Sequence, residues 1–332
     1  MIPATVNTVV IPPALALAIS TALIVGLVNS RLASLALDHP NPRSLHATPT
    51  PRLGGIGVIA GMLAAWIYVG VQFDLRLMLA FALLVGVSLL DDLKGVSVPW
   101  RLIAHFTSAL LGMAALLDAA YGIWLTFAAA LATVWMTNLY NFMDGADGLA
   151  GGMAVFGFGA YGLVALAGGD FQFAAINLSV AAAALGLLWF NFPPARVFMG
   201  DVGAIPLGYL AAVLGVAGWV RGDWPIWFGA VVFSPFIVDA SWTLLKRLVR
   251  GARVWQAHRE HCYQRLVQSG WGHRKTVLAE YGLMTLMGCM AAVGMHGNPA
   301  EQTAALIAVV LVYAGLIIVI ERRVARLPEP HD

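Results

Sequence analysis

The chain has 332 residues, of which 60% are hydrophobic and only 11% charged, with a formal net charge of +2. A soluble domain of this size carries about 25% charge, so the composition excludes an ordinary soluble enzyme. The near-zero net charge gives no field that points to nucleic acid. Two cysteines, Cys262 and Cys289, suit neither a disulfide framework nor a multi-Cys metal site.

No basic residue precedes the first apolar run, so a retained helix is expected there rather than a cleaved signal peptide. A bilayer core of ~30 Å needs ~20 apolar residues per helix. On that rule about eleven spans are expected, near 11–34, 54–71, 76–90, 99–117, 121–138, 152–168, 173–191, 203–220, 226–246, 276–295 and 303–321. The division around 72–76 is the weakest. The fold class is therefore all-α, a polytopic transmembrane helical bundle, with 1–332 read as one integral membrane catalytic domain.

With eleven spans, every Lys and Arg except Arg76 and Arg221 falls in loops on one side. The positive-inside rule makes that side cytosolic. The N-terminus is then outside and the C-terminus inside. The outer loops are short connectors, whereas the inner loops are long and dense in motifs.

The first inner loop, DHPNPRSLHATPTPRLGG (38–55), is stiffened by four prolines and offers Arg43, His46 and Arg52 to an anion. Asp91-Asp92 ends the third span, where acids oppose the helix dipole unless a cation is near. A solvated helix end paired to Lys94 is the plainer reading. NLYNFMDGADGLAGG (138–152) places Asn138, Asn141, Asp144 and Asp147 at three-residue intervals, a polar stripe if the helix continues. NFPPARVFMGDVGAIPLG (191–208) carries Arg196 and brings Asp201 to a helix N-terminus, where a plain cap is the alternative.

The loop 247–275 contains HREHCYQRL, whose His258, His261 and Arg265 are spaced to share one helical face. Zinc is the obvious suspicion, yet a catalytic zinc wants three protein ligands. A solvated basic loop beside anionic lipid is the bland alternative, and anion binding suits His with Arg best. Within the spans, Asp239 is a costly intramembrane acid, and His105 reads as a satisfied bundle histidine. Mg²⁺ takes oxygen ligands from one or two carboxylates plus phosphates and water. Asp91, Asp92, Asp144, Asp147 and Asp201 with the Arg/His loops thus suit metal-assisted phosphoryl chemistry at a membrane surface.

Together LDDLKG, NFMDGADGLAGG, NFPPARVFMGDVG, HREHCYQRL and PNPRSLHATPTPRLGG resemble the polyprenyl-phosphate N-acetylhexosamine-1-phosphate transferases, over about residues 38–275. The resemblance implies ten or eleven helices and a Mg²⁺-dependent reaction, with Mn²⁺ as a substitute. A UDP-N-acetylhexosamine and undecaprenyl phosphate would give undecaprenyl-diphosphate-sugar and UMP at the bacterial inner membrane. It further implies Asp91, Asp92 and Asp144 as catalytic acids and Asn141, Asp144 and Asp201 around the metal. Arg43, His46, Arg52, Asn138, Asn141, Asp147, Arg196, His258, His261 and Arg265 would contact substrate. A homodimer is compatible with it. The muramoyl-pentapeptide branch usually has consecutive histidines where this chain reads HREHCYQRL, which is closer to the O-antigen-type initiating enzymes. That branch remains the alternative, and a secondary transporter the alternative of another class.

Overall fold

The computed structural model describes residues 4–40, 44–46, 48–253, 256 and 258–325. Arg43, a candidate anion contact, lies outside the described residues.

Most of it is helix. Helices α1 (Ala4–Val9) and α2 (Ile11–Val28) make the first apolar segment. A 3₁₀ turn at Arg31–Leu35 leads into two-residue strands, β1 (Leu37–Asp38) and β2 (Thr50–Pro51). They pair antiparallel, Leu37 opposite Pro51 and Asp38 opposite Thr50. There follow α3 (Gly54–Val69), α4 (Leu75–Lys94), α5 (Val98–Tyr121), α6 (Ile123–Phe142) and α7 (Leu149–Gly168). Next come α8 (Phe171–Asn191), α9 (Asp201–Arg221), α10 (Phe228–Val232) and α11 (Ser234–Val249). Short α12 (Cys262–Leu266) runs through a π turn into α13 (Gly272–Gly294), and α14 (Pro299–Val324) closes the described chain.

Helices occupy all eleven expected positions, but among the described residues eight are long and apolar enough to cross a membrane. The other three fall short for separate reasons. Helix α3 has only 16 residues. Helix α4 carries Arg76, Asp91, Asp92 and Lys94 at its ends. The expected span 226–246 is interrupted at Phe233, where Pro235 in the first turn of α11 starts a new helix. The first span also ends earlier than expected, at Val28.

Helices α7, α8 and α9 are the most enclosed, and α14 shows most of its surface to the surroundings. Lipid is as apolar as leucine, so close approach and interhelical hydrogen bonds, more than hydrophobicity, hold such helices together. Gly57 and Gly61 let α3 lie against the Ser20 and Ala16 carbonyls of α2. Ser20 Oγ donates to the Ala183 carbonyl of α8 at 2.8 Å.

The same logic builds the platform for the site. Gly54 and Gly55 N–H donate to the carbonyls of Phe198 and Met199 at 2.9 and 2.8 Å, and Phe198 N–H donates to Pro51 at 2.8 Å. These bonds stitch the junction of β2 and α3 to the segment that opens α9.

Candidate active site

Four segments converge on one cleft of about 660 Å³. The β1–β2 loop contributes Asp38, His46 and Arg52. The end of α6 and its following turn contribute Asn141, Asp144 and Asp147. The start of α9 contributes Asp201, and the α12–α13 segment contributes Tyr263, Gln264 and His273. One wall therefore carries Arg52 and His46 beside Asp38, and the other is acidic.

The i+3 stripe is only half helical. Helix α6 ends at Phe142, so Asn138 and Asn141 share it while Asp144 and Asp147 sit in the turn before α7. Asn138 turns back on its own helix, donating to the Val134 carbonyl at 2.7 Å. Asp147 is fixed from two sides: its Oδ2 accepts from the Ala195 amide at 2.9 Å, and its Oδ1 lies 3.3 Å from His273 Nδ1. Burial raises the Asp147 carboxyl, but those partners outweigh it and hold it below its ordinary pKa. Asn191 braces the same turn, accepting from Gly148 N–H at 2.9 Å and donating to Val197 at 2.8 Å.

Asp91 and Asp92 stand behind the cleft wall. Adjacent helical residues diverge by ~100°, and these two face different partners. Asp91 accepts from the Val96 amide at 2.6 Å and from Arg101. Asp92 accepts from the amides of Asp201 and Val202 at 3.0 and 2.8 Å. The carboxylate at the end of α4 thus caps the first amides of α9, where negative charge is stabilising, and leaves the Asp201 side chain to line the cleft. Arg101, not singled out in the sequence, bridges Asp91 and Asp201, reaching the latter at 3.4 Å.

A second helix start uses the same device. Asp239 accepts from the amides of Cys262 and Tyr263 at 2.7 and 2.9 Å. That cap starts α12 at Cys262, so His258 and His261 precede the helix, and the expected single face with Arg265 does not form. His258 packs against His261, ring centroids 4.8 Å apart. Burial, with His261 and the Arg247 charge beside it, lowers the His258 imidazole to about 4, so it is neutral at pH 7. His261 is buried, with Nδ1 3.6 Å from Asp239. Among the described residues no group of three His, Cys, Asp or Glu is placed to hold a metal.

Arg265 points away from the cleft into a bidentate pair with Glu321 of α14, at 2.6 and 2.8 Å, and Lys246 joins at 2.6 Å. Glu321→Gln should therefore lower stability by about 1.5–3 kcal/mol, the worth of hydrogen bonds to charged groups, and lower kcat/KM as α12 loosens. Thermal unfolding and kinetics on the same preparation check this. Arg196 lies over the Phe190 ring at 5.2 Å, outside the cleft lining. Arg52 is ion-paired with Asp38, and His46 Nε2 lies 3.8 Å from the same carboxylate.

The donor set fits a hard divalent cation. Burial lifts the Asp144 carboxyl well above the usual carboxylate range, and the negative charges of Asp201 and Asp92 lift it further. That mutual repulsion is what a cation would relieve. A magnesium ion needs only one or two carboxylates when phosphates and water complete its shell, so the absence of a three-acid cluster does not count against it.

Residues 75–218 match the family model described as Glycosyl transferase family 4. A Bacillus subtilis protein named probable undecaprenyl-phosphate N-acetylglucosaminyl 1-phosphate transferase is 30% identical over 283 residues, covering 79% of this chain and 78% of its own length. A Mycobacterium tuberculosis decaprenyl-phosphate N-acetylglucosaminephosphotransferase is 30% identical over 341 residues, covering 87% and 82%. A Symbiobacterium thermophilum phospho-N-acetylmuramoyl-pentapeptide-transferase is 34% identical over 170 residues, half of each chain. The matched stretch spans α4 to α9, which carries the acidic wall, and the longer relatives span most of the chain: it belongs to glycosyl transferase family 4.

Proposed function

We propose that the chain transfers an N-acetylhexosamine 1-phosphate from a UDP-sugar to undecaprenyl phosphate, giving undecaprenyl-diphosphate-sugar and UMP. The carrying observation is the single cleft at the helix ends, with Arg52 and His46 on one wall and Asn141, Asp144 and Asp201 on the other. The relatives named for N-acetylglucosamine phosphate transfer span most of the chain, whereas the muramoyl-pentapeptide relative spans half. That difference favours the first donor class. We place the reaction on the cytosolic face of a bacterial inner membrane, as the initiating step of O-antigen or a related envelope polysaccharide.

The acceptor is a phosphate monoester with a second pKa of ~6, so at pH 7 it is mostly a dianion. A phosphate oxygen attacks the sugar-bearing phosphorus, the bond to the UMP phosphate breaks, and UMP leaves with its electron pair. No proton must be removed first. The harder task is bringing two anions together. Arg52 supplies positive charge, and Arg52 and His46 supply hydrogen bonds to the phosphates. Asp144 and Asp201, with Asn141, would hold Mg²⁺ or Mn²⁺, which when bound supplies Lewis-acid stabilisation of the developing charge. Asp91 and Asp92 act as positioning groups, Asp92 by fixing the start of α9 and Asp91 by holding Arg101.

UMP formation by purified protein, dependent on both UDP-N-acetylhexosamine and undecaprenyl phosphate, tests the proposal across a donor panel. Activity should vanish in EDTA and return with added Mg²⁺ or Mn²⁺; full turnover in chelator with metal-free reagents would contradict the metal assignment. For topology, single cysteines at positions 74, 170 and 223 should label from outside intact cells, and those at 94 and 196 should not. External labelling at 196 would put the cleft on the wrong side.

A further inference from the structure

We infer that His273 is a positioning residue that joins the two walls of the cleft through the two nitrogens of its ring. The inference rests on the cleft being the transfer site. His273 is the second residue of α13 and lines the cavity. Its Nδ1 accepts from the Asp147 amide at 3.1 Å, and its Nε2 lies 3.3 Å from the Leu45 carbonyl. Nδ1 also lies 3.3 Å from Asp147 Oδ1, and the hydrogen bond to that carboxylate raises the imidazole pKa, so one end of the ring holds Asp147 and the other meets the Leu45 carbonyl.

The ring therefore spans from the acidic turn to the loop that carries His46 and Arg52. Asp147 stands three residues after Asp144, and its own carboxylate is held by the Ala195 amide. Leu45 is adjacent to His46, in the loop that ends at Arg52. Moving either end of the ring moves one wall relative to the other. No other described side chain is drawn into both loops by a hydrogen bond at each end of one ring.

Two amide substitutions separate the ends. In His273→Asn the carboxamide oxygen reaches the Nδ1 position and can accept the Asp147 amide, but falls short of Leu45. In His273→Gln the longer side chain donates to Leu45 and offers no acceptor at the Nδ1 position. Loss of one hydrogen bond corresponds to about a three- to tenfold effect. His273→Asn should raise KM for the UDP-sugar by about that factor with kcat within about twofold. His273→Gln should lower kcat by about that factor and leave KM near wild type.

Hydrogen–deuterium exchange on the full-length variants gives a readout independent of turnover. His273→Asn should loosen 44–52 and leave 144–150 protected, and His273→Gln should do the reverse. Identical loosening of both segments, or wild-type exchange in both variants, would overturn the inference. A variant not recovered folded is replaced by the other, which alone decides: loosening of the wrong segment, or of both, overturns it. Failure of wild-type protein to release UMP would instead defeat the transferase reading, with the exchange pattern still deciding the role of His273.

Discussion

Asp201→Asn should lower kcat/KM by about two to three orders of magnitude, the usual cost of removing one electrostatic group from a reacting centre. The substitution keeps size and one oxygen but removes the charge that holds a cation, so the metal concentration for half-maximal rate should rise. Fold stability should change little, because the first amides of α9 are capped by Asp92 rather than by Asp201. Asp92→Asn should behave differently. An amide has one acceptor oxygen where two backbone N–H groups now converge, so it should cost about 0.5–2 kcal/mol of stability, as for a lost cap. Its loss of activity should accompany that lower stability. In Asp91→Asn the pH profile of kcat/KM should keep the wild-type shape, since the acceptor phosphate ionises with its own pKa of ~6. Metal titrations and pH profiles of the three variants check this; wild-type metal dependence in Asp201→Asn, or loss of the acidic limb in Asp91→Asn alone, would reverse the assignments.

Gly55→Val should leave little folded protein. A Cβ at Gly55 would lie 2.4 Å from the Gly203 amide nitrogen and 2.7 Å from the Met199 carbonyl oxygen. Both are backbone atoms at the start of α9, so no side chain can swing aside. The helices must part, breaking the Gly55–Met199 hydrogen bond and moving Asp201 away from Asp144. Overpacking of this kind costs about 1–3 kcal/mol, and more where backbone must move. Gly86→Ala is the control: nothing lies within 4 Å of a Cβ there, and alanine favours helix by about 1 kcal/mol. Monodisperse yield and Tm in detergent compare them. Wild-type Tm and activity in Gly55→Val would mean that α3 and α9 do not meet as described.

Helix positions were readable because lipid imposes a length and an apolarity on each span that few other structures share. What interrupts a span was harder to read. Pro235 signals the break at Phe233, but apart from Ser234 the residues from Phe228 to Val238 around it are apolar or small, so a hydropathy window runs through it. The acidic turn was legible from the spacing of Asn141, Asp144 and Asp147, although the helix that the spacing suggests stops at Phe142. The partners of those acids were not legible. Asp92 meets the amides of α9 across 109 residues, His273 meets Asp147 across 126, and Arg265 meets Glu321 across 56. Spacing within a motif carries no information about contacts at that range. The HREH segment shows the consequence: its periodicity suggests one helical face, whereas Asp239, 23 residues from the Cys262 amide, decides where the helix starts.

The most direct test is to follow which bond breaks. UDP-N-acetylglucosamine labelled with ³²P at the β-phosphate, incubated with purified protein, undecaprenyl phosphate and Mg²⁺, should transfer its label to the lipid. Unlabelled UMP should appear in equal amount. Label released as UDP, with unlabelled sugar on the lipid, would mean hexosyl rather than sugar-phosphate transfer. If neither that donor nor any other UDP-N-acetylhexosamine of the panel labelled the lipid, the chain would not be a sugar-1-phosphate transferase.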